Sequence, residues 1–346
     1  MELKKVLSPS NIEKFAHNDP EQMLINYMYN KFGQRFLDYR NRYNENIQKK
    51  SDQTVYDYPN TVVLELVNRC NLQCTMCYQG FRNDAKKFTL DDNILDKIFK
   101  DFKLNQLNSL MLSISEPLLY KNIDKILQRA EEANIMDVFL FTNGILLNEK
   151  NSKIILNSNV TRLFISIDAV SEDTYNKVRI PVSKRLSESN TRLEELEKNI
   201  KQFIEMRNSL GKKLPLVRVS FVSLNNNKHE IENFKNKWSS IVESIEVQKE
   251  VSIKAYEELN NKSKKVLSNK SYFCREPWGQ VTVYSDGTVA PCCNTFGRNL
   301  PVGDINKESI KDIWNGKNLK KIREELKLNK PNDVCATCIN NTSETI

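Results

Sequence analysis

Histidine is almost missing from this chain: in 346 residues only His17 and His229 occur, and neither stands near a cysteine. Each reads as a surface or capping residue, so imidazole-centred metal sites and histidine base catalysis are not expected. Long apolar runs are missing too. No stretch approaches the ~18 apolar residues of a membrane span, and the charged start Met1 to Pro9 is not followed by an apolar segment of the signal-peptide kind. A cytoplasmic protein with no membrane partner is expected. Nor is there a basic block with interleaved aromatics. The formal charge of +8, from 52 Lys and Arg against 44 Asp and Glu, rests on lysines spread along the whole chain, so nucleic acid is not an expected partner. In a reducing compartment, eight cysteines make a poor disulfide framework and a better set of metal ligands.

What is present suffices for one large domain and a smaller one. Residues 11 to 50 read as helix, with Leu24, Met28, Phe32, Phe36, Tyr39 and Tyr43 on one face at i, i+3 or i+4 spacing. That stripe either packs on the domain behind it or docks a partner. From Thr61 to about Val251 strand-like and helix-like segments alternate. Strands are expected at 61–67, 107–114, 137–141, 161–167, 214–222 and 243–248, and helices near 90–103, 121–134, 149–157, 171–178, 191–210 and 227–239. Six such repeats predict a parallel α/β barrel that is not closed. Active residues in such barrels gather at the C-terminal ends of the strands.

Just beyond the first strand stands Cys70-Asn71-Leu72-Gln73-Cys74-Thr75-Met76-Cys77. Three thiolates in eight residues can face one metal centre, since soft sulfur ligands select iron-sulfur clusters or zinc. Three is one too few for a closed site. A four-iron cluster on three cysteines leaves one iron open for chemistry; a zinc site lacking its fourth ligand and chance clustering are the other readings of these residues alone. The C-x3-C-x2-C spacing resembles the signature of the radical S-adenosylmethionine (radical SAM) superfamily. The resemblance implies a partial (β/α)6 barrel in which the open iron binds the amino and carboxylate groups of SAM. An electron from the cluster then cleaves SAM to methionine and a 5'-deoxyadenosyl radical.

Later strand ends carry further family-like segments. Ser113-Ile114-Ser115-Glu116-Pro117 resembles the G-x-G-E-P segment that holds the SAM amino group, with Ser at both glycine positions. Ser115 and Glu116 are thereby implied contacts; read alone, Ser-Glu-Pro is a turn. Thr142-Asn143-Gly144 is similar to the family's T-N-G, which places Asn143 near SAM. Ser166-Ile167-Asp168 is similar to its S-x-D, whose side chains approach ribose and methionine. Two polar residues inside an apolar strand need partners, either a ligand or a hydrogen-bonded network. Arg179 stands where relatives carry an Arg pointing into the site, a surface ion pair being the plain alternative, and Met76 stands where the backbone meets adenine.

Beyond Val251 the alternation stops, and a Lys/Asn-rich helical bridge leads to Cys274. Gln280 to Ala290 is a hairpin by its alternation around Asp286-Gly287. It folds Cys274 back toward Cys292, and a helix near 308–327, with Trp314 and Ile322 on its apolar side, returns the chain to Cys335-Ala336-Thr337-Cys338. Two cysteines from the hairpin region and two from a C-x-x-C make a closed S4 site for a second 4Fe-4S cluster or structural zinc. Cys292 and its neighbour Cys293 point opposite ways on an extended backbone, so one ligates and the other packs. The C-x17-C and C-x2-C layout, with Asp286-Gly287 and Ile313-Trp314-Asn315, resembles the Twitch form of the SPASM domain, and family spacing favours Cys292. The organisation expected is a helical extension (1–60), a radical SAM barrel (61–251), a helical bridge (252–273) and an auxiliary cluster domain of β-hairpin plus helix (274–346).

The cysteine layout is similar to that of the superfamily's aminocyclitol oxidiser, 2-deoxy-scyllo-inosamine dehydrogenase. It implies a radical SAM oxidoreductase acting on a carbohydrate-like small molecule, with flavodoxin or ferredoxin as reductant. Relatives that crosslink or epimerise ribosomal peptides are the second reading, and a non-catalytic iron-sulfur or zinc protein is the third. No general base is legible.

Overall fold

The structure is a computed structural model describing residues 20–48, 54–81, 87–182, 192–251 and 274–342. The expected bridge, 252–273, lies outside the described residues, as do 11–19, 49 and 50 of the expected first helix.

In chain order the strands are β1 (Thr61–Leu64), β2 (Leu72–Cys74), β3 (Ser109–Leu112), β4 (Asp137–Thr142), β5 (Val160–Ser166), β6 (Arg179–Pro181), β7 (Leu216–Ser223), β8 (Ser244–Lys249), β9 (Gln280–Val283), β10 (Thr288–Ala290) and β11 (Gly303–Asp304). Six of them, in the order β1-β3-β4-β5-β7-β8, form the expected parallel α/β array. β8 does not close onto β1. The free edge of β1 is instead taken by β9, again parallel, and β10 and β11 extend the sheet antiparallel. The tail thus continues the barrel's own sheet.

The strand residues alternate with the pleat. Leu110, Leu112, Val138, Leu140, Leu163, Ile165, Val217, Val219 and Phe221 are fully buried on one face and share a core with helix residues such as Ile98, Phe102, Ile126, Phe203 and Trp238. Each such side chain contributes roughly 1.5–3 kcal/mol of transfer free energy. On the other face Phe139, Phe141, Arg162, Phe164, Ser166, Arg218 and Ser220 are half-buried and line the concave side.

The N-terminal stripe forms two helices, Pro20–Phe32 and Gln34–Gln48, where one was expected. Gly33 divides them: its φ of +55° is left-handed, a conformation glycine adopts without strain. Leu24, Met28, Phe36 and Tyr39 nonetheless share one buried cluster with Met136 and Leu216, at the entering ends of β4 and β7. Arg35 donates to the carbonyls of Asn134 and Leu107 at 3.0 and 3.2 Å. The helices therefore cover the end of the barrel opposite the cysteine loop. A buried carboxylate anchors them: Asp137 accepts from Tyr39 Oη at 2.9 Å and from Arg162 Nη1 at 2.8 Å, while Arg162 also reaches Glu21 at 2.9 Å.

Candidate active site

The cysteine loop is pinned by a two-stranded pairing that sequence patterning did not indicate. β2 lies within the loop and runs antiparallel to β6, with Cys74 opposite Arg179. Thr75 N–H donates to Val178 O, and Cys77 N–H turns back to Cys74 O, both at 3.0 Å. Burial pushes the Cys70 thiol up to about 12, with the nearby Glu116 charge adding to it, and raises Cys74 against the pull of Arg179. Both stay protonated until a metal's charge displaces the proton.

The polar residues at the strand ends surround this loop. Asn143 donates from Nδ2 to Asn71 Oδ1 at 2.7 Å and to Cys70 Sγ at 3.6 Å. Glu116 is buried, and it accepts from Asn143 N–H at 2.8 Å, Thr142 Oγ1 at 2.9 Å and Leu118 N–H at 3.1 Å. Burial pushes its carboxyl up to about 7 against those donors. Asp168, fully buried with φ +66°, accepts from Val222 N–H at 2.7 Å and is ion-paired to Arg179. Arg179 Nη1 also donates to Cys74 Sγ at 3.4 Å. Ser166 receives the Ser220 hydroxyl at 3.4 Å, and Met76 is half-buried in the loop turn.

Replacing both glycines of the G-x-G-E-P pattern by serine does not remove the unusual torsion from this segment. It falls on Ile114, at φ +82°, a strained position for a β-branched residue. At Gly144, φ is +75° and an added Cβ would lie 2.4 Å from Leu196 Cδ1 and 3.0 Å from Ile165 Cγ2. Gly144→Ala is expected to cost about 1–3 kcal/mol from backbone strain alone, read as a lower denaturant midpoint.

Glu65 was missed by the sequence reading. It is fully buried just after β1, where it accepts from Ser115 Oγ at 3.1 Å and Gln79 Nε2 at 3.4 Å through one oxygen. The other oxygen accepts Ser285 N–H at 3.0 Å and Ser285 Oγ at 2.8 Å. Arg298 lies 3.9 Å away. One carboxylate thus ties the cysteine loop's exit and the Ser-Glu-Pro segment to the tail's hairpin. The available signal was a single acid inside the apolar run Thr61 to Val67.

In the tail the expected hairpin forms around Gly287, at φ +91°. The helix expected near 308–327 is two, Ile310–Trp314 and Lys317–Lys327, interrupted at Asn315-Gly316. Cys335 and Cys338 lie on the helix Asp333–Thr342, three residues apart and so on one face. Burial raises Cys274, and next to burial and Glu276 the thiols of Cys338 and Cys335 act on it. Burial likewise raises Cys292, followed by Cys274, Cys293 and Cys338. Cys293 does not pack as expected: its backbone direction leaves it exposed, accepting from Gln280 Nε2 at 3.3 Å. A Cβ at Gly297 would lie 2.7 Å from Cys292 Sγ, so glycine leaves the space against that sulfur. Among the described residues, no three Cys, His, Asp or Glu side chains close on one point as a single ion requires. Soft thiolates are the donors that iron-sulfur clusters take, and the mutually acting thiols of both sets fit that chemistry.

A model of the radical SAM superfamily matches residues 64–236. The chain belongs to the radical SAM superfamily. A second model, the iron-sulfur cluster-binding SPASM domain, matches residues 274–339. The cofactors of this radical SAM protein are accordingly SAM, its SAM-binding 4Fe-4S cluster and auxiliary iron-sulfur ligation in the tail. A probable GTP 3',8-cyclase of Methanococcus maripaludis (strain C5) is 28% identical over 117 residues, 34% of this chain and 39% of that protein. One from Methanococcus vannielii is 26% identical over 219 residues, 60% of this chain and 68% of that protein. The chain spans about two fifths of the first relative's length. Among solved structures, Streptococcus suis SuiB bound to S-adenosylmethionine superposes with TM-score 0.57 at 16% identity, covering 82% of this chain and 71% of that one. BtrN in complex with AdoMet and 2-DOIA gives 0.51 at 16%, covering 80% and 91%. These two likenesses show the radical SAM fold. No helix among the described residues is long and apolar enough to cross a membrane.

Proposed function

We propose that this radical SAM enzyme oxidises a secondary alcohol on a sugar-like or aminocyclitol substrate to the ketone. Two unequal thiol sets carry the reading: in the tail Cys338 acts on both Cys274 and Cys292, and these three with Cys335 are proposed as a closed S4 site, while Cys70, Cys74 and Cys77 are proposed as an open one. When bound, SAM and the two clusters would supply one-electron chemistry: one electron in to cleave SAM, one hydrogen atom off the carbinol carbon to the 5'-deoxyadenosyl radical and one electron out to the auxiliary cluster, while the hydroxyl proton leaves to solvent. The protein's own part is placement. Met76, Ser115, Asn143 and Ser166 offer backbone and polar groups to SAM, and Glu116, Asp168 and Arg179 brace the strand ends and the loop around it. BtrN, bound to 2-DOIA in its structure, supports the small-molecule reading, since this chain covers 91% of it.

Peptide modification is the second reading, supported by fold likeness to SuiB bound to precursor peptide SuiA, of which this chain covers 75%. The reductant is proposed to be a flavodoxin or ferredoxin. The test uses an aminocyclitol deuterated at its carbinol carbon. Deuterium is expected in 5'-deoxyadenosine, with one SAM consumed per ketone and a product lighter by two hydrogens. A product of unchanged mass carrying solvent hydrogen would mean epimerisation, and turnover on a precursor peptide but no cyclitol would establish the second reading.

A further inference from the structure

We propose that Arg179 sets the reduction potential of the cluster bound at Cys70, Cys74 and Cys77 by donating an N–H···S hydrogen bond to Cys74, and that Asp168 holds it there. The donor groups around the cysteine loop are unequal. Cys70 Sγ takes neutral donors, the Leu72 N–H at 3.4 Å and the Asn143 amide at 3.6 Å. Cys74 takes a guanidinium, Nη1 at 3.4 Å, and Cys74 is itself buried. Arg179 is 7% exposed, so water screens the contact little.

Three features fix the guanidinium in place. The β2–β6 pairing sets Arg179 opposite Cys74. Its backbone carbonyl accepts from Arg192 Nη1 at 2.8 Å. Its other terminal nitrogen is ion-paired to Asp168, whose second oxygen is held by Val222 N–H at 2.7 Å. Asp168 reaches this position with φ +66°, a conformation costly for a non-glycine residue and kept where the surroundings over-determine it. The pair is neutral overall but oriented, with its positive end against the sulfur and its negative end away from it. Hydrogen bonds to cluster sulfurs are among the factors that set iron-sulfur potentials. A donor withdraws charge from the thiolate and favours the reduced, more negative cluster, so Arg179 raises the potential and eases electron entry. Asp168 acts through Arg179 and is a positioning residue.

The experiment is an EPR-monitored redox titration of the full chain, anaerobically reconstituted and without SAM. The auxiliary cluster serves as internal reference, and the wild type must first show two separately titrating clusters, which tests the cofactor reading itself. Arg179→Met is expected to move the three-cysteine cluster to more negative potential and leave the other unchanged; Arg179→Lys should restore part of the shift. Because Arg179→Met leaves Asp168 buried without its cation, Arg179→Met/Asp168→Asn is the deciding variant: it removes the pair without changing net charge and keeps an acceptor for Val222. A negative shift in that variant supports the proposal. An unchanged potential at full iron content overturns it, as does a shift that arises only once SAM is added, or a folded double variant that no longer holds the cluster.

Discussion

A variant with Cys70, Cys74 and Cys77 all replaced by alanine is expected to form no 5'-deoxyadenosine above background when given dithionite and SAM. These thiols sit on a loop held by β2–β6, and no other described cysteine lies on it, so their loss removes the open site altogether. The tail is built from separate segments and should keep its cluster. About four irons per chain are therefore expected in the variant against about eight in the wild type, counting one four-iron cluster per site. Wild-type rates of 5'-deoxyadenosine formation in the variant would sink the assignment of the site. Zinc in the anaerobically purified variant would turn the tail into a ribbon-type site. Cys293→Ala, which faces Gln280, should keep the wild-type iron, and losing it would exchange the roles of the two adjacent cysteines.

Asp137→Ala is expected to destabilise the chain by about 3 kcal/mol, the low end of the cost of breaking a buried ion pair, because Arg162 keeps its contact with Glu21. Arg162 would lose both of its 2.8 Å contacts to that carboxylate, and Tyr39 and Thr161 would lose an acceptor. The N-terminal helices should loosen with it, since Tyr39 is one of their ties to the barrel. Asp137→Asn keeps an acceptor of similar shape and should cost less. Denaturant midpoints of the two variants check the ordering; equal midpoints for Asp137→Ala and wild type would show that the cluster of charges at the barrel's base contributes nothing.

The barrel strands were legible because apolar residues there follow the pleat: Leu110 and Leu112, or Leu163 and Ile165, mark one face unambiguously. The cysteine spacings were legible because ligation constrains sequence directly. Other features depend on contacts between distant segments. Nothing local in Leu72 to Cys74 signals that its partner is Arg179 to Pro181, and a lone acid at Glu65 reads as an interruption until Ser285 is seen against it. Of the stripe from Leu24 to Tyr43, Leu24, Met28, Phe36 and Tyr39 are buried while Phe32 and Tyr43 are only half-buried, and the break at Gly33 is a backbone event that a periodicity of apolar residues does not register. Arg179 illustrates the same boundary: its position near the site was readable, its sulfur partner was not.

The pairing of Thr61 with Gln280 orders assembly in time. β1 is the first barrel strand to be synthesised, yet one of its edges finds its mate only after nearly all the intervening chain exists. Pairings so distant in sequence form slowly, and an unpaired edge meanwhile offers its N–H and C=O groups to any neighbouring chain. Glu65, the acid at the end of that edge, fits this interval as well as the finished molecule: a charge beside an exposed strand discourages intermolecular pairing until the hairpin arrives to neutralise its isolation. A strand made late is then the one that covers the edge of a strand made early.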